Sequence, residues 1–207
     1  MAAAGSYSLP PERLGRWLDR WAEAHGGVAE QRIDGAVVSF TAVDGAAVDC
    51  EAPFGPVDGD LLAHVARERT VGVLLVRLGG HAAGVFEGER LVDAKVGSRL
   101  VHGRNRKGGS SAQRFARRRE GQAREALRAA ADAAERVLRG PAEAGALDAV
   151  VLGGDRRALA TVLEDVRLAA LRPLAVERVL DVPDPRRRVL EATPEAFLAT
   201  VVRPREN

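Results

Sequence analysis

One long helical pattern constrains this chain more than any other feature. From Ser111 to about Arg139, the small or apolar residues Ala116, Ala123, Leu127, Ala130, Ala134 and Val137 recur at intervals of three, four or seven, and Gly140-Pro141 marks the expected end. Such a stripe has to be buried against a wider apolar surface. The chain supplies one in strands on either side. Val71–Leu78 reads as a buried strand, with Ala82–Phe86 and Leu91–Val96 as hairpin partners turning at Glu87-Gly88. Downstream, Ala149–Leu152 reads as a short buried strand, Arg157–Leu168 as a helix, and Ala175–Leu180 and Arg188–Glu191 as extended segments, with Thr193-Pro194 capping a last helix. This order of strands and helices predicts an α/β domain, a mixed sheet with helices on its faces.

The N-terminal part follows different rules. Leu14, Trp17, Leu18 and Trp21 recur at helical spacing between Pro10-Pro11 and Gly26-Gly27, and the two tryptophans read as core anchors. Two Val-containing runs, Ala36–Ala42 and Ala46–Ala52, flank Asp44-Gly45, a strong hairpin turn signal. Pro53, Gly55 and Pro56 make a linker, and Leu61, Leu62 and Val65 mark a short helix after it. The expected organisation is therefore a small helix plus hairpin over 1–56 and a main domain over 57–207.

Charge singles out one place. Between Lys95 and Arg119 there are nine basic residues and no Asp or Glu, whereas the remainder carries 31 − 9 = 22 basic against 29 acidic residues. An acidic body with one cationic arm fits a polyanion bound at that arm. The segment 98–110 holds Arg99, His102, Arg104, Asn105, Arg106, Lys107 and three glycines, without apolar periodicity after Val101, and reads as an exposed basic loop. No apolar run approaches the roughly 18 residues of a membrane span, so a cytoplasmic protein is expected. The single cysteine, Cys50, lies in an apolar alternation and reads as a buried thiol. The four histidines, His25, His64, His81 and His102, have no metal-ligand spacing, and no cofactor is called for.

Familiar motifs fail on single residues. Gly103 to Gly108 has P-loop spacing, but Gly109-Ser110 stands where a lysine and a hydroxyl residue are needed. A nucleophile elbow needs glycine where Gln113 stands. Gly153-Gly154-Asp155 lacks the third glycine of a dinucleotide site and reads as a turn and helix cap.

What survives is Gly108-Gly109-Ser110-Ser111-Ala112-Gln113-Arg114-Phe115-Ala116-Arg117-Arg118-Arg119. This run resembles the middle domain of eukaryotic and archaeal class I release factors, where a Gly-Gly-Gln loop precedes Ser-Ala-x-Arg-Phe-Ala-Arg-x-Arg. The resemblance covers about Thr70 to the C-terminus and is strongest in the loop and helix. Ser110 occupies the place of the catalytic glutamine, and a glutamine follows three residues later as Gln113. That displacement is similar to the Vms-like release factors of ribosome quality control, in particular their actinobacterial branch. The resemblance implies a ribonuclease H-like fold and a monomer that binds the large ribosomal subunit and peptidyl-tRNA, not DNA. It implies Gln113, Gly108 and Gly109 as catalytic residues, and Arg104, Arg106, Lys107, Arg114, Arg117 and Arg118 as RNA contacts. The expected reaction is stop-codon-independent hydrolysis of the peptidyl-tRNA ester on stalled ribosomes. Cleavage within the tRNA acceptor end, or non-catalytic docking on ribosomal RNA, remain open alternatives.

Overall fold

The computed structural model describes residues 5–77, 79–98 and 111–205, with the side chains of 111–119 outside that description. The chain divides into two compact units, Arg69–Thr193 and a second made of Met1–Glu68 with Pro194–Asn207.

The larger unit is built on a five-stranded mixed sheet. Taking the first four strands of the chain as β1–β4, all in the smaller unit, its strands are β5 (Thr70–Arg77), β6 (Gly80–Glu87), β7 (Arg90–Ser98), β8 (Ala149–Gly154) and β9 (Ala175–Leu180), in the order β7-β6-β5-β8-β9. β5, β6 and β7 are antiparallel neighbours, whereas β8 and β9 run parallel to β5. Parallel pairing demands crossovers, and these carry the helices. The first crossover holds α3 (Ser111–Ala134), a π turn (Glu135–Arg139) and α4 (Gly140–Glu143); the second holds α5 (Arg156–Leu163) and a 3₁₀ stretch (Val166–Leu174).

One face of the sheet, with Leu74, Val76, Ala83, Val85 and Val150, packs on Ala130, Ala134, Val137 and Leu138 of the long helix and on Leu159 and Val162 of α5. The other face is approached by α6 (Arg187–Glu191). A Cβ at Gly84 would stand 2.9 Å from Leu91 and 3.0 Å from Leu190. Glycine there lets the fully buried Leu190 reach the sheet.

Several expectations are corrected. Gly140-Pro141 does not end the long helix, which continues as α4. A proline ring collides with the carbonyl four residues back and its nitrogen has no hydrogen to donate. The π turn directly before Pro141 widens the coil there and accommodates both defects. α5 ends at Leu163, not Leu168, because Asp165 caps the 3₁₀ stretch by accepting from the Arg167 backbone N–H at 3.0 Å. Arg188–Glu191 is helical, not extended. An apolar pattern this short fits either period, and burial of Leu190 decides it.

The smaller unit is an antiparallel sheet of order β1-β10-β4-β3-β2, formed by β1 (Tyr7–Leu9), β2 (Val28–Asp34), β3 (Val37–Ala42), β4 (Ala47–Glu51) and β10 (Thr200–Arg205). β3 and β4 form the expected hairpin, with Val38, Phe40, Val48 and Cys50 facing inward. α1 (Pro11–Ala24) and α2 (Leu61–Ala66) close the core through Leu14, Leu61 and Val65. The expected boundary after residue 56 thus falls inside this unit, since α2 shares its core. The last helix, α7, is only Pro194–Phe197, and β10 returns to pair with β4 and β1.

Candidate functional site

Register locates the root of the basic loop. Arg77 pairs with Gly80, Gly80 with Ser98, and Val76 with Gly154, so the ends of β5, β7 and β8 meet at one end of the sheet. β7 ends at Ser98, residues 99–110 lie outside the described residues, and α3 begins at Ser111.

α3 is much longer than the strands it covers. Leu138 packs over Gly72, near the start of β5, and the chain soon enters β8 at the same end, so α3 descends from the loop end of the sheet. Between Gly72 and Arg77 the strand covers about 17 Å. Between Ser111 and Leu138 the helical path covers about 40 Å. Even a crossing angle of about 40° leaves more than about 10 Å of helix beyond the sheet. Burial agrees: no residue from Glu120 to Ala129 is fully buried, and Ala130 is the first that is.

The overhanging turns are the ones that carry the candidate residues. Gln113, Arg114, Arg117 and Arg118 are the third, fourth, seventh and eighth residues of α3. Helical periodicity sets Gln113 and Arg117 one turn apart on one stripe, and Arg114 and Arg118 on the next. Gly108, Gly109, Arg104, Arg106 and Lys107 lie outside the described residues. The first turn of α3 contains no acidic residue. Its partial positive charge is therefore uncompensated from within the helix and adds to that of the arginines.

Two positions missed in the sequence reading extend this surface. Arg124 and Arg128 follow Arg117 at seven and eleven residues, on the same stripe, and are exposed, with the charge of Arg128 also felt by Asp165. They line a groove of about 590 Å³ between α3 and α5, together with Leu127, Thr161, Val162 and Asp165. Their only signal is spacing, and it lies beyond the recognisable motif. Lower down, Arg167 bonds Asp132 at 2.9 Å, Asp165 at 2.7 Å, and Glu135. This tie fixes the buried half of α3 to the second crossover. The hydrogen bonds from Arg167 hold the Asp165 carboxyl at about 2, and the acidic neighbours of Arg167, Asp165 foremost, push its guanidinium further upward.

At the loop root, a groove of about 370 Å³ is lined by Gly80, Gly97, Ser98, Asp184, Pro185 and Arg186. His81 is buried beneath it, and a Cβ on Gly97 would stand 2.4 Å from the His81 ring. Beside this end of the sheet Arg77 pairs with Asp181 at 2.9 Å.

The other flagged residues settle into structural roles. Gly154 has φ +104°, and Asp155 caps α5 by accepting from the N–H groups of Arg157 and Ala158, both at 2.9 Å. Cys50 is fully buried, and burial pushes its thiol up to about 12. His64 is buried with its Nε2 2.6 Å from the Phe54 carbonyl, and His25 pairs with Asp44 at 2.8 Å. His102 lies outside the described residues. No cluster of three potential metal ligands occurs among the described residues, and none of their helices is long and apolar enough to cross a membrane.

Comparison with known proteins places residues 69–203 in register with the profile of the Actinobacteria/chloroflexi VLRF1 release factor family. No curated protein matches the chain. Among solved structures it is similar to the archaeal translation termination factor aRF1, with TM-score 0.47 and 15% identity, covering 95% of this chain and 68% of that one. An archaeal protein matches with TM-score 0.45 and 18% identity over 77% of this chain and 51% of that one. Pelota of Archaeoglobus fulgidus matches with TM-score 0.32 and 14% identity over 92% of this chain and 61% of that one.

Proposed function

Because the chain belongs to the Actinobacteria/chloroflexi VLRF1 release factor family, we propose that it frees nascent chains from stalled ribosomes by hydrolysing the peptidyl-tRNA ester without reading a stop codon. The observation that carries this reading is the overhanging start of α3. It closes a segment with nine cations and no carboxylate, and Gln113 follows the glycine pair by four residues there.

The chemistry asks little of such a site. An aminoacyl ester is already activated, so catalysis consists of placing water in line, stabilising the developing oxyanion and holding the tRNA end still. A glutamine amide donates and accepts hydrogen bonds and does not titrate, which suits orienting water or the terminal ribose. Gly108 and Gly109 would let backbone N–H groups approach the acceptor end without side-chain clash. Arg104, Arg106, Lys107, Arg114, Arg117 and Arg118 would neutralise its phosphates.

The test is to add purified protein to stalled nascent-chain complexes and analyse both peptide and tRNA 3′ end. Free peptide with an intact acceptor end is expected, and Gln113→Ala should slow release about 10²- to 10³-fold. Shortened tRNA would replace ester hydrolysis by RNA cleavage. Ribosome binding without release would make the protein a docking factor.

A further inference from the structure

α1 of the smaller unit packs its aromatic rings on the core and still leaves part of them open. Leu14 is fully buried and, with Leu18, anchors the helix on its sheet. Trp17 and Trp21 pack against the same core and are only half-buried, so part of each ring faces solvent. They belong to a run of aromatic contacts. Tyr7 meets Trp17 edge-on at 5.9 Å, Trp17 and Trp21 lie nearly parallel at 6.5 Å, and Trp21 meets the His25 ring at 5.3 Å.

The residues nearest Trp17 on its polar flank are cationic. At about 100° per residue, Arg13, Arg20 and Arg16 fall about 40°, 60° and 100° round from Trp17, and Glu23, Glu12 and Asp19 continue the same arc at about 120°, 140° and 160°, so the arginines lie between the ring and the acids. All three arginines are exposed, and none is in an ion pair among the described residues. With Leu9 and Trp17 they line an open groove of about 450 Å³, where Glu12 is the one carboxylate.

Partly exposed rings next to exposed guanidinium groups outside any ion pair among the described residues are what a flexible polyanion with flat bases requires. Bases stack on aromatic faces whatever their sequence, and arginines hold the phosphates between them. A duplex hides its bases, and an acidic peptide offers charge but no ring to stack. We propose that this face is a second nucleic-acid site, which binds single-stranded RNA with Trp17 and Tyr7 as the stacking surface and Arg13, Arg16 and Arg20 as phosphate contacts. It is independent of the release chemistry assigned to the loop and α3.

The molecule carries its own reporter, because its two tryptophans are both in α1. Quenching therefore reports RNA that reaches α1. The full chain is titrated with an unstructured RNA of about ten nucleotides while tryptophan emission is followed. Saturable quenching is expected, and it persists in Trp21→Phe, which isolates Trp17. The exposed triple substitution R13A/R16A/R20A should weaken binding roughly tenfold or more and flatten the dependence of log affinity on log salt by about 2. The charge-preserving R13K/R16K/R20K should retain most of both. The proposal fails if RNA does not bind, if it binds without changing emission, or if the alanine triple variant matches wild type. It fails equally if an RNA duplex or an acidic peptide quenches as strongly as the single strand.

Discussion

If α3 is a rigid strut that sets where the basic arm stands, lengthening it should abolish release while leaving the fold intact. The place to lengthen it is after Gly121, within the stretch from Glu120 to Ala129 that contributes no fully buried residue. Seven inserted residues of high helix propensity move everything before them by about 10 Å and turn it by only about 20°, because seven residues fall just short of two turns. Two inserted residues move it about 3 Å but rotate it by about 200°. The first variant therefore tests reach and the second tests facing. Misplacing a catalytic group by about 1 Å can cost about 10²-fold, so both should lose at least that much in single-turnover peptide release from stalled complexes. Both should melt close to wild type, because Ala130, Ala134, Val137 and Leu138 and the Arg167 tie remain in place. Release by the seven-residue variant within about threefold of wild type would refute the strut and make α3 a tether.

Three further predictions concern the frame. Gly154→Ala should destabilise by more than about 1 kcal/mol in chemical denaturation, since φ is +104° and the new Cβ would stand 2.2 Å from the Val76 carbonyl oxygen. Arg167→Ala should lower Tm by leaving Asp132, Glu135 and Asp165 clustered without their cation. Asp165 is held below its usual 3.8, at about 2, so the stability it contributes is present above 3.8 and lost as pH falls through that window; the Tm gap between wild type and variant should narrow there. Cys50, buried and pushed up to about 12, should react with a thiol reagent in the native protein only at the rate of unfolding, and rapidly in denaturant. Fast modification of the native chain would contradict its placement.

Sequence patterning exposed the parts of this fold whose periodicity is enforced by burial. β3 alternates strictly between buried and half-buried positions, β5 is buried nearly throughout, and α3 repeats its small residues at helical spacing. Where burial does not write a pattern, the reading failed. β2 is exposed along its whole length, with Glu30, Arg32 and Asp34 protecting the sheet edge, so no alternation marked it. β10 contains Pro204, which argues locally against a strand, yet it pairs with Val48 through tertiary context. The division between units was hidden for a related reason: α2 and β10 join the smaller unit through long-range packing that no local signal announces. At the candidate site, the motif identified the start of α3 but was silent on Arg124 and Arg128, whose relevance comes from the groove they share with α5.

The arm also runs against the stability of the fold that carries it. A helix of 24 residues is stabilised by carboxylates in its first turn, and α3 has none. Arginines spaced three or four apart repel, and Arg114, Arg117 and Arg118 stand at those spacings. Small residues stand near them in the sequence, but the turns they share overhang the sheet. Folding alone does not call for this arrangement, because the missing carboxylates and the adjacent like charges both raise the energy of the isolated helix. A polyanion reverses these terms together: its phosphates replace the missing carboxylates, offset the like charges and meet the positive end of the helix. On the proposed function, the acceptor end of a tRNA would supply these phosphates, and the start of α3 would gain stability from the ligand it binds.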